Sequence, residues 1–253
     1  ERSLGFFALG NAKKSRIPAI VITPSGSPVS NLLTSCTEAF YAQVPILYLS
    51  ADRPPDLHDC GANQSINQAP LLSPMTKQTI QLPVPKQHHD LAKLASTIQA
   101  AVLASQRGPV HINCPFEEPF FNAEPVKKSF PNLSLTPHKK QDPITDTLPP
   151  KPSSNTGKKC LLILASTAAP LNQAEILEWA RTHQVPLIAE CTSSLGLHPD
   201  IGRGMKTLLN HIDPPDRVIC IGSKWISQRL QHLIQSTPEV LLEHDYEETQ
   251  DFL

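Results

Sequence analysis

The sequence predicts an α/β fold made of two doubly wound parallel-sheet domains. Three observations lead there. Short, wholly apolar runs recur without polar alternation, as strands covered on both faces require. Stretches with apolar residues at three- and four-residue intervals separate them, as helices require. A segment rich in Pro, Lys, Ser and Thr divides two such series. The chain has 253 residues, 40% of them apolar, enough to build a core in each domain.

The first series occupies residues 1–122. Leu4, Phe7 and Ala8 fall at helical spacing, and the run Ala19 to Ile22 predicts a buried strand. A loop over Thr23–Pro28 leads into an amphipathic helix from Val29 to Tyr41. A second buried strand follows from Pro45 to Leu49. Leu91, Leu94, Ala95, Ile98, Ala101 and Val102 predict a long helix ending near Gly108, and Val110–Asn113 predicts a strand. Residues 123–158 read as an interdomain linker, because Pro149, Pro150 and Pro152 cannot join a ladder or a helix interior. The second series, residues 159–253, predicts strands at Cys160–Leu164, Pro186–Ala189, Arg217–Ile221 and Val240–Glu243. Its helices are expected over Leu171–Thr182 and near Ile226–Ile234.

Charge and cysteine content narrow the classes of function. With 22 basic and 23 acidic residues the net charge is -1, so no field draws the chain to nucleic acid or to an anionic membrane. The six cysteines stand singly, outside any metal-ligand spacing, which argues against disulfides and zinc sites and fits a reducing cytoplasm. No apolar run approaches the roughly 18 residues of a membrane span. The chain starts at Glu1 rather than Met, and a preceding segment is expected.

The most unusual stretch runs from Ala51 to Gln68 and begins where the second strand should end. Ligands of parallel sheets bind at such carboxyl ends. Pro54 and Pro55 stiffen the backbone after Arg53, which favours a guanidinium held ready for a carboxylate. Asn63 and Gln64 add amide donors and acceptors. By composition alone the stretch reads first as a polar surface loop whose Asp52, Arg53 and Asp59 pair with one another.

This segment resembles the signature of the 2-succinyl-5-enolpyruvyl-6-hydroxy-3-cyclohexene-1-carboxylate synthases, thiamine-diphosphate-dependent enzymes of menaquinone biosynthesis. Glu1-Arg2-Ser3-Leu4-Gly5-Phe6-Phe7-Ala8-Leu9-Gly10 is similar to the family's E-R-x-x-G-x-x-A-L-G, the Ser25-Gly26-Ser27 loop with Asn31 behind it also matches, and the blocks are spaced without gaps. Gly108 to Phe116 resembles the strand that closes the pyrimidine-binding domain of the superfamily. The resemblance is strong over residues 1–72, moderate over 108–119 and faint from 158 onward.

The resemblance implies a pyrimidine-binding domain over 1–122, lacking its N-terminal part, and a truncated central domain over 159–253. It implies that Glu1 contacts N1' of the cofactor's aminopyrimidine as the catalytic carboxylate, that Pro24, Ser25 and Gly26 approach the cofactor, and that Arg53, Asn63 and Gln64 bind substrate. The implied reaction decarboxylates 2-oxoglutarate and adds the succinyl semialdehyde unit to isochorismate, with thiamine diphosphate and Mg²⁺ as cofactors. The implied assembly is a homo-oligomer, dimer or tetramer. The family's P-G-S-R-S and G-D-G motifs are absent here, so the diphosphate and metal are expected on a domain outside this chain, and the chain alone is expected to be inactive.

Three departures stand out. Pro24 and Pro28 replace residues with backbone donors, and Gln228 stands where relatives place a lysine, with Lys224 or Arg229 nearby. Two alternatives stay open: another thiamine-diphosphate carboligase akin to acetolactate synthase, and a degenerate α/β protein kept for assembly.

Overall fold

The computed structural model describes residues 1–85, 91–117, 158–167, 171–193, 212–222 and 225–243, with single positions 195, 196, 198, 201 and 209. Most of the expected 123–158 linker lies outside them, as does Lys224. The chain divides into two compact units, Glu1–Lys140 and Gln141–Leu253. Both are built on parallel sheets, so the chain is α/β throughout its described length.

In the first unit, helix α1 (Arg2–Ser15) leads to strand β1 (Ala19–Thr23), helix α2 (Ser27–Ala42) and strand β2 (Ile46–Asp52). Helix α1 ends at Arg16, whose left-handed backbone turns its N–H onto Ala12 O, and Lys13 and Lys14 lie where the helix dipole favours cations. Pro28 sits in the first turn of α2, where its missing N–H has no intrahelical partner to lose. Gly5 lets the two helices meet, because a Cβ there would overlap the Ser35 hydroxyl.

A short helix α3 (Ala69–Leu72), strand β3 (Gln78–Gln81), helix α4 (Leu91–Ser105) and strand β4 (Val110–Pro115) complete the unit in the sheet order β1-β2-β4-β3. Strand side chains alternate between faces. Val21, Ile46 and Tyr48 pack beneath α1 and α2 with Val29, Leu32 and Cys36. Leu47, Val110 and Ile112 pack on the opposite face, beneath Ala101, Ile98 and Val102 of α4.

One local expectation is corrected, and one strand is unanticipated. Strand β1 is an edge strand rather than a strand buried on both faces: Ile20 and Ile22 are 61% and 71% exposed, since α4 covers β2 and β4 but does not reach β1. Strand β3, with the single large apolar residue Ile80, gives no apolar run. It is set by pairing with β4 at the far edge.

The second unit repeats the architecture. Strands β5 (Cys160–Leu164), β6 (Leu187–Ala189), β7 (Arg217–Ile221) and β8 (Glu239–Glu243) form the order β6-β5-β7-β8. Helix α5 (Gln173–Thr182), capped by Asn172, buries Ile176 and Trp179 against Leu162, Leu164 and Ile219. Helix α6 (Gln228–Ser236), capped by Ser227, buries Leu230 and Ile234 against Leu161, Ile163 and Cys220 on the other face. Among the described residues no helix is long and apolar enough to cross a membrane.

Candidate functional site

The carboxyl edge of the first sheet carries a polar row. Parallel pairing sets Thr23 of β1 beside Ser50 of β2, Ser50 beside Asn113 of β4, and Asn113 beside Gln81 of β3. The Ser50 hydroxyl lies 2.8 Å from Asn113 Oδ1 and 2.7 Å from His111 Nε2. An amide oxygen only accepts, so the serine proton is committed to Asn113 and the imidazole donates from Nε2. Burial holds the His111 pKa down at about 4, against the opposing pull of Asp52 and the Ala69 carbonyl.

Asn113 in turn donates from Nδ2 to Asp52 Oδ2 at 2.6 Å and to Gln81 Oε1 at 2.8 Å. Asp52 is buried. Its Oδ1 accepts the Arg53 N–H at 2.8 Å, and its Oδ2 lies 3.2 Å from His58 Nε2, which also approaches Arg53 O at 3.1 Å. The backbone of Arg53 is therefore held on both sides as it leaves β2.

Residues 53–68 fold back over the turn that joins β1 to α2. Gln64 adopts a left-handed backbone, φ 56°, of a kind that costs about 1–2 kcal/mol for a side-chain-bearing residue. Two hydrogen bonds accompany it: Gln64 O accepts from Ser25 Oγ at 3.0 Å, and Gln64 Nε2 donates to Ser25 O at 2.9 Å. Gly26 has φ 85° and ψ -138°, and a Cβ on it would lie 3.1 Å from Gln64 Cγ and 3.3 Å from Gln64 O. The space that this glycine leaves open admits the 53–68 loop.

The expected site residues thus separate into groups. Ser25, Gly26 and Gln64 lock to one another. Arg53 and Asn63 line a cleft of about 430 Å³ with Pro54 and Leu57, facing Phe116 and Glu117 across it. The Arg53 guanidinium and Asn63 carboxamide can bind a carboxylate, and the Asp56 and Glu117 carboxylates share the same lining. Glu1 precedes α1, exposed, with Oε2 3.5 Å from Asn31 Nδ2 on α2. Pro24 links Thr23 to the turn and is exposed. In the second unit Gln228 opens α6, and the nearby buried carboxylate is Glu190, which accepts the N–H groups of Ile226 and Ser227 at 2.8–3.0 Å.

No family profile matches the chain. Individual proteins do. It is 35% identical over 271 residues to the 2-succinyl-5-enolpyruvyl-6-hydroxy-3-cyclohexene-1-carboxylate synthase of Shewanella frigidimarina (strain NCIMB 400), covering 94% of this chain and 45% of that protein. The synthase of the same name from Chlorobium phaeovibrioides (strain DSM 265 / 1930) is 38% identical over 214 residues, 77% of this chain and 36% of that protein. That from Halorhodospira halophila (strain DSM 244 / SL1) is 34% identical over 218 residues. Over most of its length the chain is thus similar to synthases of this one name. It spans under half the length of these relatives.

Two polar groups at this edge have capacity for a further partner. Glu1 offers a solvent-facing carboxylate with an amide beside it, and Thr23 Oγ1, buried at the end of β1, makes no hydrogen bond with a described residue. Among the described residues no three His, Cys, Asp or Glu side chains converge as a metal site.

Sequence reasoning missed Gln68, Asn113 and His111 as parts of this edge. His111 and Asn113 lie in the run predicted as the strand Val110–Asn113, and nothing in the spacing of the three residues joins them. Phe116 and Glu117 were also missed as cleft residues. Their only signal was their place directly after β4.

Proposed function

We propose that the chain forms the pyrimidine-binding and central portions of a synthase of menaquinone biosynthesis, which joins the succinyl semialdehyde unit of 2-oxoglutarate to isochorismate with thiamine diphosphate and Mg²⁺. The observation that carries this reading is the meeting of the Ser25–Gly26 turn and the Arg53–Gln64 loop at one carboxyl edge of one sheet.

Thiamine diphosphate, when bound, supplies the electron sink for decarboxylation and carbon–carbon bond formation. Glu1 would hold the proton at N1' of the aminopyrimidine. Its carboxylate stands exposed beside Asn31 of α2, and its bond to the ring would gain strength as the ring displaces water from it. Ser25 and Gly26 present a rigid turn to the ring. Arg53 and Asn63 bind substrate carboxylates, with Phe116 and Leu57 as the apolar wall for the isochorismate ring. Gln64 acts mainly through Ser25. A homo-oligomer in the cytoplasm completes the reading.

The test is carboligation by the protein expressed from its complete reading frame. Isochorismate should be consumed only with 2-oxoglutarate, thiamine diphosphate and Mg²⁺ present. Arg53→Ala should lower kcat/KM for isochorismate about 100-fold, as loss of a buried charged contact does, while thiamine diphosphate affinity is kept. A folded protein that binds thiamine diphosphate yet leaves isochorismate untouched would overturn the proposal.

A further inference from the structure

We propose that Gln68 is a positioning residue that locks the Ser25–Gly26 turn to the Arg53–Gln64 loop, so that the cofactor and substrate halves of the site act as one piece. The inference rests on the proposed function for its meaning and on the hydrogen bonds for its geometry.

Gln68 lies just before α3, and it is wholly buried. Its Oε1 accepts the Gly26 N–H at 2.9 Å. Its Nε2 donates to Ala51 O at 2.7 Å and to Asn113 Oδ1 at 2.8 Å, with Ser50 Oγ at 3.3 Å. Both amide protons and the amide oxygen are thus used. The orientation is unambiguous, because Gly26 N–H can only donate and Ala51 O can only accept, so a flipped amide would oppose like to like at both ends.

The partners come from separate parts of the fold. Gly26 belongs to the turn after β1, Ala51 to the end of β2 and Asn113 to β4. Asn113 also holds Asp52, which accepts the Arg53 N–H. One carboxamide therefore reaches the turn directly and the backbone of Arg53 through two further hydrogen bonds. Gln64 makes the second tie between turn and loop, from the outer side. Buried polar groups that are fully paired fix a single arrangement, and losing one partner leaves the others unsatisfied in a dry setting.

Two substitutions test the lock by hydrogen exchange of the folded protein. Gln68→Leu removes the acceptor for Gly26 N–H. Protection in the segments covering residues 24–28 and 62–66 should fall about tenfold, while β1, α1 and the central part of α2 keep theirs. Gln68→Glu adds a reversible arm. As a neutral acid the new side chain can accept from Gly26 and donate to Ala51 O or Asn113 Oδ1. As a carboxylate it faces two acceptors. Relative to the unsubstituted protein at each pH, protection of 24–28 should be near normal at acidic pH and lost as the acid ionises.

Unchanged protection of 24–28 in both variants would overturn the proposal, and so would an equal rise in exchange across the whole first unit, the mark of general destabilisation. Failure of the proposed function shows separately, as absence of thiamine diphosphate binding in calorimetry by the unsubstituted protein expressed from its complete reading frame.

Discussion

Acid should loosen the first unit through His111. The ring is wholly buried on β4, and its pKa falls from an ordinary 6.5 to about 4, chiefly because burial disfavours the imidazolium. In the unfolded chain the same ring takes up a proton near its ordinary value. Between those two values the unfolded state binds a proton that the folded state refuses, so stability falls as pH falls. The contribution is fully present above about 6.5 and exhausted below about 4. At about 1.4 kcal/mol per pH unit between the two values, it amounts to about 3 kcal/mol. The assay is hydrogen exchange of β2 and β4 against urea at pH 7, 5.5 and 4.5, comparing the parent protein with His111→Gln. The glutamine keeps a donor for Ser50 but cannot titrate, so its urea midpoint should fall less steeply with acid. Equal pH dependence of the two proteins would refute the reasoning.

Three further substitutions probe backbone and charge. Gly26→Ala should cost about 1–3 kcal/mol in thermal unfolding, because φ 85° is closed to a side chain and Gln64 blocks the Cβ. Gly10→Ala, in α1 with open space around it, should be neutral or stabilising by up to about 1 kcal/mol. Glu190→Gln should destabilise the second unit by about 2–3 kcal/mol, since one end of the amide turns donors toward the N–H groups of Ile226 or Ser227. Both tryptophans, Trp179 and Trp225, lie in that unit, so urea unfolding followed by fluorescence reports it directly.

Much of the architecture was legible in residue order alone. Ala19–Ile22, Cys160–Leu164 and Arg217–Ile221 announce strands because an unbroken apolar run has no amphipathic alternative of that length. Helix limits were close but imprecise. The segment expected from Leu171 begins at Gln173 behind the Asn172 cap, and Leu171 itself is buried outside the helix. Strand β3 was not legible, because Gln78-Thr79-Ile80-Gln81 reads as a polar loop until β4 supplies its hydrogen-bond partners.

The sequence by itself determined the α/β class, the two series of elements and the candidates Glu1, Arg53, Asn63 and Gln64, because periodicity and local motifs are properties of neighbouring residues. Tertiary structure decided where those candidates lie: Arg53 and Asn63 line the cleft, while Gln64, exposed, hydrogen-bonds Ser25 from the outer side. It also decided that Ser50, Gln68, His111 and Asn113 share one buried network. Ser50 and Asn113 meet only because β2 and β4 pair in one parallel register, so the contact depends on strand order and register rather than on anything along the chain between them.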